Sequence, residues 1–413
     1  MVGGMEVRDG GPPPQSTIKT RRTGGHIRLP PCGWMAWEEH VSLIRNALVV
    51  GGGIAGMSAT LVLSRLGVSV VVIDQDPAWR VYGAGISITG PTLRAFQRLG
   101  ILDDFRQHGY CSASTRLFTP TGHPIGEVAI PPLAADLPSG GGIMRPILHE
   151  ILASRTRKAA ADIRLGITID HYAEDADGAD VTFSDGRTGR YDLVIGADGI
   201  YSRTRGLLFP DAPKPRFTGQ ACWRVTAPRP EGVTGVEMFL GAPIKAGVNP
   251  CSPDQMYLFA LEAIAPNTRH AEAELPGLLR ARLAGFGGSV GFVRDQISDQ
   301  SVVNFRPLET LLLPGPWHTR RGLLIGDAAH ATTPHLASGA GMAMEDAVVL
   351  GDVLSANDSL SAALNAFMDR RHDRCAMVVN NSVRLGEIEL SGVHSDEHPR
   401  LMNQTMAALA QPL

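Results

Sequence analysis

The stretch Ala47 to Asp76, ALVVGGGIAGMSATLVLSRLGVSVVVIDQD, limits what this chain can fold into more than any other. It opens on the apolar run Ala47-Leu48-Val49-Val50, which has the length and character of a strand buried on both faces. Gly51, Gly53 and Gly56 follow in Gly-x-Gly-x-x-Gly spacing. Ile54 to Leu66 then reads as a helix stopped by Gly67, and a second apolar strand, Val68 to Ile73, ends on Asp74. The three glycines have separate tasks: a tight turn, room for a pyrophosphate, and close helix–strand packing. The helix start at Ile54 and Ala55 offers free N–H groups and a positive dipole end to phosphate. Asp74 stands where a carboxylate accepts hydrogen bonds from ribose hydroxyls. A Gly-x-Gly-x-x-Gly alone also occurs in ordinary glycine-rich turns. Strand, helix, second strand and terminal acid together predict a dinucleotide site in an α/β fold, without saying which dinucleotide.

The 413 residues suffice for a large buried core and two domains. An apolar fraction of 44% beside 19% charged residues is that of an ordinary globular protein. A net charge of −3, with no long run of one sign, argues against a nucleic-acid surface. Cys32, Cys111, Cys222, Cys251 and Cys375 are scattered, with no Cys-x-x-Cys. That pattern argues against a disulfide framework, a zinc site or an iron–sulfur cluster, and fits a reducing, cytoplasmic compartment. No apolar run approaches the about 20 residues of a membrane span, so no stable membrane association is expected.

Residues 1–45 differ from the rest. Gly10-Gly11-Pro12-Pro13-Pro14, Gly24-Gly25 and Pro30-Pro31 form turns and coil, and no continuous apolar segment marks a secretory signal. Arg21, Arg22 and Arg28 suit a transit peptide, but the prolines and glycines spoil its amphipathic helix. The expectation is a disordered extension, with Met35 as a candidate translation start. Beyond Asp74, Pro91 suits the first turn of a helix to Leu99, and Gly100 stops it. Residues 114–140 read as short strands and loops. A helical pattern runs from Gly142 through Met144, Arg145, Leu148 and Leu152. Arg145 at its start opposes the helix dipole; it is either a surface ion-pair partner or a contact to a bound anion. Ala179–Phe183 alternates as a strand, Asp185-Gly186 makes a hairpin turn, and a third buried run covers Tyr191 to Ile195. Residues 211–305 give short alternating segments, with one helix near 273–285, and predict a mainly antiparallel second sheet. A fourth buried strand, Gly322 to Ile325, precedes helices from Gly339 and from Leu360 to Leu385. The cluster Asp369 to Arg374 reads as a solvated face.

Three motifs in this order resemble the flavoprotein aromatic hydroxylases of the para-hydroxybenzoate hydroxylase fold. They are Gly51 to Gly56 with Asp74; Gly196-Ala197-Asp198-Gly199-Ile200-Tyr201-Ser202-Arg203-Thr204-Arg205; and Gly326-Asp327-Ala328-Ala329-His330 with Pro334 and Glu345-Asp346-Ala347. Trp223-Arg224, and Arg306-Pro307-Leu308 followed by Trp317-His318, match between them; the resemblance covers residues 46 to about 375. It implies an FAD-binding domain in three parts (46–113, 141–210, 306–375), a substrate domain in two (114–140, 211–305) and a C-terminal helical tail (376–413). It further implies that Asp327 meets the ribityl and pyrophosphate region of FAD, that Arg145 contacts FAD, and that Asp198 serves FAD and NAD(P)H. The helix after Asp327 would point its start, Gly339, Ala340 and Gly341, at the flavin ring. Relatives often carry Gly-Gln-Gly-x-Asn where Ala337-Ser338-Gly339-Ala340-Gly341 stands; the small-residue version is more similar to the salicylate and hydroxynicotinate hydroxylase branch.

The implied activity is monooxygenation. NAD(P)H reduces FAD, O₂ gives a flavin hydroperoxide, and one oxygen passes to a small aromatic or polyketide-like substrate. Pro334 would offer a carbonyl near the substrate, and Arg224 is the best anchor for an anionic one, the alternative being a structural ion pair. Trp223, Met238, Phe239 and Tyr257 either line the cavity or are core. Ser338 either bonds the ring or caps the following helix, and capping is preferred. His330 and His335 lack the partners of a metal site. The rival readings are a flavin dehydrogenase or reductase on the same fold, a non-catalytic FAD-binding protein, and a branch inserting oxygen beside a carbonyl. Substrate identity, NADH or NADPH preference and oligomeric state are not encoded in these motifs.

Overall fold

The computed structural model describes residues 43–413 apart from 82, 160, 242 and 393–395. The expected disordered extension therefore lies outside the described residues, save its last three positions. The run at 47–50 is strand β1 (Asn46–Val50), in the middle of a five-stranded sheet. Its neighbours are β2 (Ser69–Asp74) and β12 (Leu193–Gly196), with β8 (Asp162–Leu165) and β18 (Gly322–Leu324) at the edges; every pair is parallel. A central parallel strand is covered on both sides, which is why 47–50 carries no polar residue. Helix α1 (Ile54–Arg65) returns the chain from β1 to β2. It packs with α2 (Gly90–Leu99), α9 (Gly339–Ala356) and α10 (Leu360–Ser391) in the largest apolar cluster.

The expected third run divides in two. Strand β11 (Thr188–Tyr191) belongs to an antiparallel sheet with β9 (Ile169–Glu174) and β10 (Ala179–Phe183), whose hairpin turns at Gly186. Asp192 makes the break: its carboxylate accepts the Arg45 and Asn46 N–H groups at 2.6 and 3.2 Å. The helix expected from Gly142 starts at Arg145. Gly140–Met144 is strand β7, paired with β3 (Gly85–Ile88) and β4 (Tyr110–Ser112); α4 (Arg145–Lys158) follows, with Pro146 in its first turn. Three consecutive glycines are poor helix formers, and Pro146 needs no N–H partner where it stands. Short helices α3 (Leu102–His108), α5 (Arg203–Leu208) and α8 (Asp327–His330) fill connections.

The second large sheet has seven strands. Their order is β17 (Val303–Thr310), β13 (Arg216–Pro228), β16 (Gln255–Ala263), β15 (Ile244–Pro250), β14 (Val236–Phe239), β5 (Ser114–Phe118) and β6 (Pro124–Ala129). All pairs are antiparallel except β14–β5, so the mainly antiparallel expectation holds and residues 114–129 join this sheet. Two helices, α6 (Leu275–Arg282) and α7 (Gly288–Gln296), replace the single one expected, because Gly285 and Gly287 interrupt the pattern. Strand β17 crosses the expected boundary at 305, and α10 crosses the one at 375. Helix α10 runs past Leu385 to Gly392, which takes a left-handed conformation, and α11 (Glu397–Ala410) follows. Among the described residues no helix is long and apolar enough to cross a membrane.

Strand alternation gives the seven-stranded sheet two different faces. On one, Trp223, Phe239, Leu258 and Ala260 pack against α6 and α7. On the other, Tyr257 packs with Ala84, Cys251 and Met144, and Phe259 with Cys222 and Leu261. Ala84 and Met144 flank the smaller sheet beside α4, so this second face looks toward the nucleotide-binding elements. Trp223 and Phe239, both fully buried on the first face, are therefore core and line no cavity.

Candidate active site

The Gly51–Gly56 loop forms the cradle its spacing predicts. Gly51 holds φ +106°, and a Cβ there would collide with the Ala197 carbonyl oxygen. A Cβ on Gly56 would overlap the Gly51 carbonyl, whereas one on Gly53 would meet open space. The loop is thus closed toward the protein and open outward. Helix α1 has no side-chain cap and no acid in its first turn, so nothing competes with an incoming anion at Ile54, Ala55 and Gly56. Asp74 accepts the Gly52 N–H at 2.7 Å on one oxygen and the Asp76 N–H at 2.8 Å on the other. Each oxygen keeps a further acceptor position for a ribose hydroxyl. Trp79, absent from the sequence-derived site, clamps the loop from behind. Its indole N–H donates to the Gly52 carbonyl at 2.8 Å, and its ring meets His149 edge-on at 5.7 Å. It does so from φ +46°, a backbone state that no motif announces.

Asp198 is directed differently. Its carboxylate accepts from Ser202 Oγ and, at 2.9 Å each, from the Thr204 N–H and hydroxyl, fixing the start of α5. The neighbouring Ala197 carbonyl, rather than the Asp198 side chain, abuts the glycine cradle. Arg205 from the same motif donates to the Ala328 carbonyl at 3.0 Å, linking the second motif to the third.

The third motif supplies the other end of the site. Gly326 has φ +59°, and a Cβ there would stand 2.9 Å from Ala55 Cβ and 3.4 Å from Ala343 Cβ. The Gly326–Asp327 turn is therefore wedged between the start of α1 and the start of α9. Asp327 keeps the accessible surface of an exposed residue, yet surrounding protein desolvates it enough to raise its pKa, with His330 and Arg145 opposing. Both descriptions fit a carboxylate closely surrounded by protein yet reached by solvent. The Arg145 guanidinium lies near enough to feel the Asp327 charge, and its side chain has no hydrogen-bond or ion-pair partner among the described residues. Burial lowers its pKa, as does the adjacent Arg224 guanidinium, while Asp327 works the other way. Arg224 is likewise unpartnered and half-buried. It points from the second sheet face in one row with Met238, Gly247 and Phe259. Tyr257, whose pKa burial raises, closes the row above and shares a 2.9 Å hydrogen bond with Ser87. Of the five residues offered for a cavity, Arg224, Met238 and Tyr257 share this face; Phe259 belongs with them and was missed.

The start of α9 is free. Gly339, Ala340 and Gly341 donate to nothing in their first turn, and Ser338 does not cap it: its hydroxyl donates to the Leu336 carbonyl at 2.7 Å. The preferred capping role for Ser338 is thus replaced by a contact that stabilises the left-handed Ala337 turn after Pro334. Gly341 also lets α9 approach α2, since a Cβ there would overlap Thr92 Oγ1.

Behind the turn lies a buried charge cluster that corrects the reading of residues 369–374. Arg371 is fully buried. It donates to Asp346 at 2.7 Å, Glu345 at 2.8 Å, the Met342 carbonyl at 3.1 Å and Cys375 Sγ at 3.2 Å. Asp346 also accepts from His330 Nε2 at 2.7 Å and the Gly326 N–H at 2.8 Å. His330, Asp346 and Cys375 place possible metal-ligand atoms within 4.8 Å of one another, although the His330/His335 spacing gave no hint of it. Arg371 already occupies lone pairs of both Asp346 and Cys375, so a metal cation would face a fixed guanidinium.

A glycine cradle open outward, an acid with acceptor positions to spare, a desolvated carboxylate, an unpaired arginine side chain and two free helix starts fit the phosphates, ribose and ring of a flavin dinucleotide. The comparisons agree. The family described as FAD binding domain matches residues 45–384. The aurachin C monooxygenase/isomerase of Stigmatella aurantiaca is 29% identical over 350 residues, 83% of this chain and 89% of its own. The 2-heptyl-3-hydroxy-4(1H)-quinolone synthase of Pseudomonas aeruginosa is 30% identical over 74% of this chain and 79% of its own. The structure of Klebsiella pneumoniae HpxO with FAD and uric acid superposes with a TM-score of 0.75 at 25% identity, covering 88% of this chain and 92% of that one. The chain belongs to the FAD-binding family of flavoprotein monooxygenases, with FAD as its cofactor.

Proposed function

We propose that the protein uses NAD(P)H and O₂ to hydroxylate a small, electron-rich aromatic or heteroaromatic ring that carries an anionic group. One oxygen atom enters the product, the other leaves as water, and NAD(P)H supplies the two electrons. The observation that carries this reading is the pair of neighbouring, unpartnered guanidiniums, Arg145 and Arg224, beside Asp327 and the aromatic sheet face. Bound FAD supplies the activation of oxygen. Arg145 and Asp327 would hold it. Gly51, Gly53, Ile54, Ala55, Gly56 and Asp74 would hold the pyrophosphate and adenosine ribose, and Gly339 to Gly341 would direct N–H groups at the ring. Asp198 acts through the shape of its loop.

Arg224 orients the substrate by a charge-assisted hydrogen bond. Met238, Phe259 and Tyr257 line one side of its ring and exclude water there. Pro334 offers its carbonyl at the turn before α9. The small-residue turn Ala337–Gly341 supports a place near the salicylate and hydroxynicotinate hydroxylase branch. The ring systems named for the quinolone synthase and for the HpxO complex support a heteroaromatic substrate. The four described cysteines are all free, in keeping with a cytoplasmic protein.

The test is NAD(P)H oxidation by the purified yellow protein across a panel of hydroxy- and amino-substituted rings under ¹⁸O₂. A labelled hydroxyl on the stimulating compound is the expected outcome. Hydrogen peroxide alone, or unlabelled product throughout, favours a dehydrogenase; a labelled lactone or ester favours insertion beside a carbonyl. Arg224→Ala should raise KM for a carboxylated substrate about tenfold and leave an uncharged analogue nearly unaffected.

A further inference from the structure

The sequence motif Glu345-Asp346 and the arginine cluster on α10 have no part in the reaction just described, yet they form the most densely bonded buried polar group behind the site. Asp346 is fully buried on α9, and its Oδ2 accepts two hydrogen bonds. One comes from the main-chain N–H of Gly326 at 2.8 Å, the other from His330 Nε2 at 2.7 Å. Gly326 and His330 bracket the short helix that carries Asp327. A single carboxylate oxygen thus ties both ends of the Asp327 segment to α9. Oδ1 of the same carboxylate is fixed by Arg371 Nε at 2.7 Å. The remaining Arg371 donors go to Glu345, to the Met342 carbonyl and to Cys375 Sγ, so α10 holds the first two turns of α9 as one rigid block.

We propose that Arg371 and Asp346 are positioning residues for the flavin end of the site, setting the Gly326–Asp327 turn through the Gly326 N–H. This rests on the reading that Asp327 meets the ribityl and pyrophosphate region of FAD, and on its ribityl part, which ADP lacks. The Gly326 carbonyl is held by the Ala329 and His330 N–H groups at 2.9 Å each, and Ala55 and Ala343 restrict the turn from the sides, but the Gly326 N–H, the other end of this freely rotating residue, is held by Asp346. A charge-assisted hydrogen bond from a carboxylate that cannot itself rotate selects one of them. Arg374 provides an internal contrast. It lies in the same cluster and pairs with Glu345 at 2.9 Å, but it does not touch Asp346. Disturbing Arg374 perturbs the cluster without releasing the turn.

The experiment compares two ligands on flavin-stripped protein. FAD engages both ends of the site; ADP engages only the cradle around Gly51 and Asp74. Asp346→Asn and Arg371→Met should weaken FAD binding about tenfold or more, with ADP within about twofold of wild type. Arg371→Lys, which keeps the charge but not the fork, should recover part of the loss. Arg374→Gln should stay within about twofold for both ligands. If Arg371→Met does not fold, the nearly isosteric Asp346→Asn decides alone. Equal weakening of FAD and ADP would make the cluster merely structural and overturn the inference, as would unchanged FAD affinity in both variants. Asp327→Ala in the same assay separates the two levels. If it alone weakens FAD, the positioning role is wrong and the site reading stands. If it too leaves FAD binding unchanged, the site reading itself fails and takes the inference with it.

Discussion

Asp327 carries a cost that only its ligand relieves. Burial raises its pKa, against the opposing charges of His330 and Arg145, so the folded, flavin-free chain holds the charged carboxylate at a cost relative to the protonated one. Stability from this group is complete below the ordinary carboxylate value of 3.8 and is lost as pH rises through the raised one. Asp327→Asn should therefore make the flavin-free protein melt at a higher temperature at pH 7, a gain that vanishes below pH 3.8. The same variant should bind FAD more weakly, since a buried charged acceptor is worth about 1.5–3 kcal/mol. Thermal scans with and without FAD across pH would check both signs; a flavin-free variant no more stable than wild type at pH 7 would contradict the argument. At this scale the backbone of the glycine loop was legible, because Gly51 and Gly56 stand where a Cβ would collide and Asp74 binds the loop's own Gly52 N–H. Trp79 was not, because its contact depends on a left-handed turn whose residues carry no glycine or asparagine. Trp223 and Arg224, adjacent in sequence, were offered for one cavity and face opposite sides of their strand. Only the placement of α6 and α7 says which side is core.

Among the elements, α10 was both the clearest helix and the most misread. Its buried positions, Leu364, Phe367, Arg371, Cys375, Val378, Ser382 and Leu385, recur at three- and four-residue steps. Arg371 stands in that stripe, and its spacing from Phe367 and Cys375 was the available signal that it points inward. Charge density around it, from Asp369 to Arg374, drew attention to the outer face instead. The early helix boundary expected at Gly142 failed for the opposite reason: apolar spacing was counted across a strand end, while Pro146 already marked the true first turn. Close approach of α9 to α2 gives an element-level prediction. Gly341→Ala should destabilise by about 1–3 kcal/mol through overlap with Thr92 Oγ1. Thr92→Ala in the same chain should recover part of that loss, and denaturant titration of the double-mutant cycle measures the coupling. Strictly additive effects would mean that the helices adjust elsewhere.

For the molecule as a whole, the α/β plan with an inserted sheet followed from the order of motifs, since each of the three ends or follows a buried parallel strand. What the order could not give was the parallel β14–β5 pairing that joins residues 114–129 to a sheet made mostly a hundred residues later. Such pairing is set by the packing of distant segments, not by any local pattern. Deleting residues 1–34 should leave the melting temperature and the FAD content unchanged, because the first strand begins at Asn46 and the family match at residue 45. An insoluble or colourless product would place the extension in the fold.

The wedge at Gly326 also bears on how the protein is made. The glycine motif ends at Gly56, but Asp74, Trp79 and Ala197 brace its loop, the turn facing it lies at 326–327 and the helix start beside it at 339–341. During synthesis a complete site therefore has to wait until most of the chain has left the ribosome. A chain ended just after β18 would contain the entire first motif and lack both the turn and the helix start that face it.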